Sequence, residues 1–177
     1  QSTLYGDHFG QSSLPSGWTT INLAGYGLGS INVANSQLSI TGVANGRFGV
    51  LSPPLYNDVS HADLLVVEAK LDEITGLNGL FSIYAGKGMG DFSRFFEFGI
   101  ENGQLRIFID GVADWAGATA SLPAVLRVEI TPATEAGRTL NFFYNDALVY
   151  SMADTPIIPL DQLHAFLYGW STATTKW

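Results

Sequence analysis

Seven side chains in this sequence are of the types from which a site for a sugar ring is built: Tyr84, Glu97, Arg106, Phe108, Trp115, Tyr168 and Trp170. A pyranose presents a flat apolar C–H face with hydroxyls round its rim. Its recognition therefore asks for exposed aromatic rings beside carboxylate, amide or guanidinium groups. Tyr84, Glu97, Arg106 and Phe108 fall on outward beats of strands expected to neighbour one another. Trp115 is expected in a loop, and Tyr168 and Trp170 share one face of the last strong strand. The competing reading is structural: Arg106 and Glu97 form a diagonal surface ion pair worth under about 1 kcal/mol, and Tyr168 and Trp170 belong to the core.

Other chemistries find less support. Cysteine is absent, which removes disulfides, thiolate metal sites and cysteine nucleophiles together without fixing the compartment. His8, His61 and His164 lie in different segments with no metal-ligand spacing and read as solvated or core histidines. Gly86-Lys87-Gly88-Met89-Gly90 has the glycines of a phosphate cradle, but it lacks the order Gly-x4-Gly-Lys-Ser/Thr and no helix follows, so it reads as a flexible loop. Eight Lys plus Arg against sixteen Asp plus Glu give a net charge of −8. No phosphate-neutralising stripe can be assembled from so few cations, and nucleic acid is not an expected partner. No apolar run approaches the ~20 residues of a membrane helix, so no membrane insertion is expected. The charged fraction of 14% is low against a typical ~25%, and mean hydropathy is positive, which predicts that some apolar surface meets a neighbour.

The candidate residues must be positioned by strands. Phe95 to Gly111 reads as a β-hairpin: Asn102-Gly103 tolerates the two positive φ angles of a type I′ turn, and alternating residues flank it. That turn pairs Ile100 with Leu105, Phe98 with Ile107 and Phe96 with Ile109, so one face is wholly apolar and covers a core. The other face carries Phe95, Glu97, Gly99, Glu101, Gln104, Arg106 and Phe108, as in a sheet packed on one side only. Further hairpins are expected around Asn35-Ser36 and Asn145-Asp146, and further strands over 64–71, 80–85, 125–131 and 163–170. Gly42 to Pro54 reads as a loop or irregular edge, because Pro53-Pro54 cannot donate to a ladder. No helix is expected. Many short strands with turns between them predict one all-β domain, residues 1–177, folded as an antiparallel β-sandwich or jelly roll.

The order Asp7-His8-Phe9, Leu14-Pro15-Ser16-Gly17-Trp18, Asn32-Val33 and Gln37-Leu38-Ser39-Ile40 resembles the opening of concanavalin A-like lectin/glucanase domains of the laminin-G-like kind. Phe98-Gly99-Ile100-Glu101-Asn102-Gly103-Gln104-Leu105, Leu126-Arg127-Val128-Glu129, Phe143 to Val149 and Leu167-Tyr168-Gly169-Trp170 follow the same succession, so the resemblance spans nearly the whole chain. Such domains close with a further strand after the Tyr-Gly-Trp region. Here the sequence stops at Trp177, so that strand is expected either to be supplied from elsewhere or to lie outside the given residues. The resemblance also implies a calcium ion near the termini, where Asp7 matches the motif.

Glucanases of this superfamily carry three acids at alternate strand positions, one as nucleophile and one as acid/base. Glu97-Phe98-Gly99-Ile100-Glu101 has glycine in the middle place, and residues four apart on a strand lie ~13 Å apart, beyond the ~5–5.5 Å of a retaining pair. No enzyme is expected. The resemblance instead implies a non-catalytic carbohydrate-binding or adhesive module of a secreted or cell-surface protein, with a glycan or polysaccharide as partner. A start at Gln1 without methionine reads as a mature form whose signal peptide has been removed. The alternative from another class is a structural assembly subunit: a virion decoration or tail component, or a surface-layer protein. It would form a homo-oligomer or larger assembly through a sandwich edge completed by a neighbour.

Overall fold

The computed structural model describes residues 7–22, 29–42, 47–54, 56–57, 64–76, 78–85, 94–110, 112–132, 137–154, 162–170 and 173–177; the side chains at positions 22, 47, 56–57, 82–85, 94–95, 162–163 and 170 lie outside the description. The Gly86–Gly90 loop and His61 also fall outside it. The described residues form strands and no helix. In chain order these are β1 (Thr19–Asn22), β2 (Ser30–Ala34), β3 (Gln37–Thr41), β4 (Arg47–Leu51), β5 (Tyr56–Asn57), β6 (Leu65–Leu71), β7 (Glu73–Thr75) and β8 (Asn78–Ala85). The second half adds β9 (Arg94–Glu101), β10 (Gln104–Ile109), β11 (Val112–Thr119), β12 (Ala124–Ile130), β13 (Arg138–Tyr144), β14 (Ala147–Asp154), β15 (Gln162–Trp170) and β16 (Thr174–Lys176).

All pairings are antiparallel. One sheet runs β1-β4-β15-β8-β9-β10-β11, with β5 also on β15. A second runs β14-β13-β12-β6 and a third β2-β3-β16-β7. The last two meet along one bent segment, since only Asp72 separates β6 from β7 and its N–H donates to Lys176 O at 2.7 Å. The layers face each other through the core. Phe98 of the first sheet meets Phe142 of the second edge-on at 5.4 Å between centroids, with Phe81 6.3 Å from Phe98. Alternation decides what enters. On β12 the buried residues are Ala124, Leu126, Val128 and Ile130, and on β9 and β10 they include Phe96, Phe98, Ile100, Leu105 and Ile107.

Local turn chemistry sets the registers. Asn102 and Gly103 have φ of 51° and 74°, Asn35 and Ser36 54° and 57°, and Asn145 and Asp146 45° and 66°, as two-residue hairpin turns require. The pairs Ile100–Leu105, Phe98–Ile107 and Phe96–Ile109 follow.

Three expectations need correction. Gly42 to Pro54 is not an edge: it contains β4, which lies between β1 and β15 and buries Phe48 and Val50, because Pro53-Pro54 comes after the strand has ended. Trp115 is not in a loop but in β11, opposite Ile107 of β10. The strand thought to be missing after Tyr168-Gly169-Trp170 is present as β16, inserted between β3 and β7, and Trp177 exchanges two 2.9 Å backbone hydrogen bonds with Leu38.

Candidate functional site

The face of the large sheet turned away from the core carries the candidate residues in rows. Across one row, Ile21 pairs with Gly49, Gly49 with Tyr168, Tyr168 with Leu80, Leu80 with Gly99, and Gly99 with Arg106. In the next, Leu51 pairs with Phe166, Phe166 with Ser82, Ser82 with Glu97 and Glu97 with Phe108. Close strand contact explains the two glycines of the first row. A Cβ at Gly49 would lie 2.1 Å from Leu167 O, and one at Gly99 2.2 Å from Gly79 O. Both positions are therefore closed to side chains.

This face is not the plain polar surface that strand alternation suggests. Leu51, Leu80, Phe166 and Tyr168 form a second, smaller buried cluster, with Ile21 and Phe108 half-buried against it. The Phe166 and Tyr168 rings stack at 4.7 Å and 17°. Glu97, expected to be open, is buried, and its Oε1 accepts a short hydrogen bond from the Tyr168 hydroxyl. Arg106, the partner that the competing structural reading gave it, pairs elsewhere. A buried carboxylate needs donors near it, and a phenol two strands away supplies one. Toward the far end of β15, His164 Nδ1 lies 3.0 Å from Ser52 O and both residues are buried.

Arg106 pairs instead with Glu101, Nη1 to Oε2 at 3.3 Å, each side chain about a quarter exposed. Its guanidinium carbon lies 5.2 Å from the Phe108 ring centroid, and its Nε is buried with no hydrogen-bond partner among the described residues. Glu101 was visible in the sequence on the varied face but was not assigned to the site. The signal was its place two residues from Gly99, the cross-strand partner of Arg106, where no side chain intervenes.

Arg106, Phe108, Glu97 and Tyr168 are thus brought onto one face. Tyr84 and Trp170 sit in strands of the same sheet, and their side chains lie outside the described residues. Trp115 is not brought there. It is half-buried against the core and stacks on Tyr150 at 5.5 Å and 25°. The Tyr150 hydroxyl donates to Asp114 Oδ2 at 2.8 Å. That bond, followed by burial and the Asp114 charge, raises the Tyr150 pKa.

At Asp7, the residue expected to hold calcium, one carboxylate oxygen is engaged locally. Asp7 Oδ1 accepts from Phe9 N at 2.6 Å, an Asx turn, and among the described residues no group of three or more His, Cys, Asp or Glu is placed to hold a metal ion.

No protein-family model matches the chain, and no curated protein matches it. Solved structures do. An endo-1,3-β-glucanase from Streptomyces sioyaensis aligns with a TM-score of 0.63 at 11% identity, over 99% of this chain and 91% of that one. The carbohydrate recognition domain of Emp47p gives 0.62 at 12%, over 99% and 96%. The carbohydrate-binding module CBM66 from Bacillus subtilis gives 0.57 at 14%, over 90% and 91%. At such identities the likeness is one of fold. The chain is an antiparallel β-sandwich, a jelly roll with the fold that these structures share. Its structural neighbours include both carbohydrate-binding domains and a glucanase.

Proposed function

We propose that the chain is a non-catalytic carbohydrate-binding module of a secreted or cell-surface protein, and that a glycan docks on the outer face of the large sheet around Arg106 and Phe108. The observation that carries this reading is the state of Arg106. Its guanidinium is laid over an aromatic ring at the margin of an apolar cluster, and among the described residues a single carboxylate pairs with it. Five N–H donors in a fixed fork are more than one carboxylate consumes, which leaves donors for ring hydroxyls. Arg127, on the second sheet, has the same cation-over-ring geometry with Phe143 but faces Asp146, Glu129 and Glu68 at 2.7, 3.3 and 3.9 Å. Its charge is already over-matched.

The acids of the face support binding over hydrolysis. Glu97 is engaged by Tyr168 and Glu101 by Arg106, and position 99 between them has no room for the middle carboxylate. The assembly-subunit reading draws on low charge, apolar composition and a last strand expected to be missing; that strand is present as β16, between β3 and β7. Isothermal titration against a broad oligosaccharide panel tests the proposal. Binding is expected, with Arg106→Ala weakening it by about 1–3 kcal/mol, the loss of a charge-assisted hydrogen bond. Absence of heat with the wild-type protein at millimolar ligand would sink it.

A further inference from the structure

We infer that this face selects uncharged glycans and rejects carboxylated ones, and that Glu101 is the residue that sets the preference. The inference rests on the carbohydrate-binding reading and sharpens it.

Arg106 and Glu101 place donor and acceptor side by side at the surface, Nη1 and Oε2 being 3.3 Å apart and each side chain about a quarter exposed. A sugar hydroxyl both donates and accepts, so two adjacent hydroxyls can satisfy the pair together, one accepting from the guanidinium and the other donating to the carboxylate. A uronate carboxylate can only accept. To reach the guanidinium it must lie beside the Glu101 carboxylate or displace it. Beside it, two like charges share one cation. Displacing it strands Glu101 next to the ligand. Either arrangement is unfavourable, because a like charge within a few ångströms disfavours the ionised form of both groups.

The surroundings push the same way. Glu97, a second acid of this face, occupies the buried position opposite Phe108. The whole chain carries −8, so its long-range field also repels polyuronates. Phe108, half-buried against Leu51, Leu80, Phe166 and Tyr168, offers the apolar surface on which an uncharged ring face can rest.

The test uses neutral oligosaccharides of glucose, mannose and galactose, each beside the uronate oligosaccharide of the same sugar. Titration calorimetry is run with the wild-type protein and with Glu101→Gln, and thermal melting checks that both are folded. The wild type is expected to bind at least one neutral member and its uronate partner at least about tenfold more weakly. Glu101→Gln, which keeps the shape and removes the charge, is expected to narrow that gap to about threefold or less. Should that variant fail to fold, Glu101→Ser makes the same comparison. Uronate bound as tightly as its neutral partner by the wild type overturns the inference and leaves the carbohydrate-binding reading standing. A preference unmoved in a folded, uncharged variant removes Glu101 from the role. No binding to any member overturns both readings together.

Discussion

The Tyr168 hydroxyl, on β15, donates to Glu97 on β9 across the intervening β8, and both side chains are buried. The bond ties the middle of the large sheet together on the side away from the main core. Tyr168→Phe keeps the stacked ring against Phe166 and removes one donor from a buried carboxylate. The expected cost is about 1–3 kcal/mol, read as a lower denaturation midpoint at unchanged slope. A midpoint equal to that of the wild type would show that the bond is replaceable.

The two faces of the central hairpin should differ in their energetics. Phe98 is 1% exposed between Phe81 and Phe142, so Phe98→Ala opens a cavity and should cost about 3–5 kcal/mol. Phe108 is only half-buried, against the smaller cluster, and its truncation should cost clearly less. Equal losses in urea midpoints would contradict the assignment of faces.

How far the sequence reaches depends on the range of the signal. The Asn102-Gly103 hairpin was legible, with its register, because turn geometry and alternation are both local. The β4 strand was hidden by the neighbouring prolines, and Trp115 by two register shifts between β10 and β11, which break the simple count of faces. Alternation put Glu97 on the outward face correctly, and left Tyr168 only on one face with Trp170, but could not tell an outward residue from an exposed one. That distinction comes from a cluster assembled from β4, β8 and β15, far apart in the chain. The Arg106–Glu101 pair lay within reach, since both residues flank one turn and Gly99, directly opposite Arg106, has no side chain to compete with the diagonal contact.

Gly99→Asp would restore three acids at alternate positions of β9. It should nevertheless yield no glucanase activity and should destabilise the protein by about 1–3 kcal/mol, because a Cβ there meets Gly79 O at 2.2 Å and Leu80 Cα at 2.7 Å. Hydrolysis of a β-glucan by this variant, measured as released reducing sugar, would show that the strand can yield.

Tyr150 should respond to alkali in a defined direction. Its pKa is raised above the ordinary ~10, first by the hydrogen bond to Asp114, then by burial and by the Asp114 charge. A folded pKa above the unfolded one stabilises the protein fully below about pH 10, and that contribution is lost as pH rises through the higher folded value. Phenolate absorbance should therefore show a late-titrating tyrosine that moves to lower pH in Asp114→Asn. Superimposable titration curves for the two proteins would show that the hydrogen bond does not set the shift.

The place of β16 has a consequence for how the chain is made. Thr174 pairs with both Thr41 and Thr75, and Trp177 with Leu38, so the third sheet cannot close until residues 174–177, about a hundred positions after β7, have been synthesised. A nascent chain still threaded through a ribosome holds β3 and β7 with their inner edges unpaired, each a template for a wrong strand. Pairings of such long sequence separation also slow folding once the chain is released. Biogenesis therefore carries an interval in which β2, β3 and β7 already exist and their sheet still lacks β16.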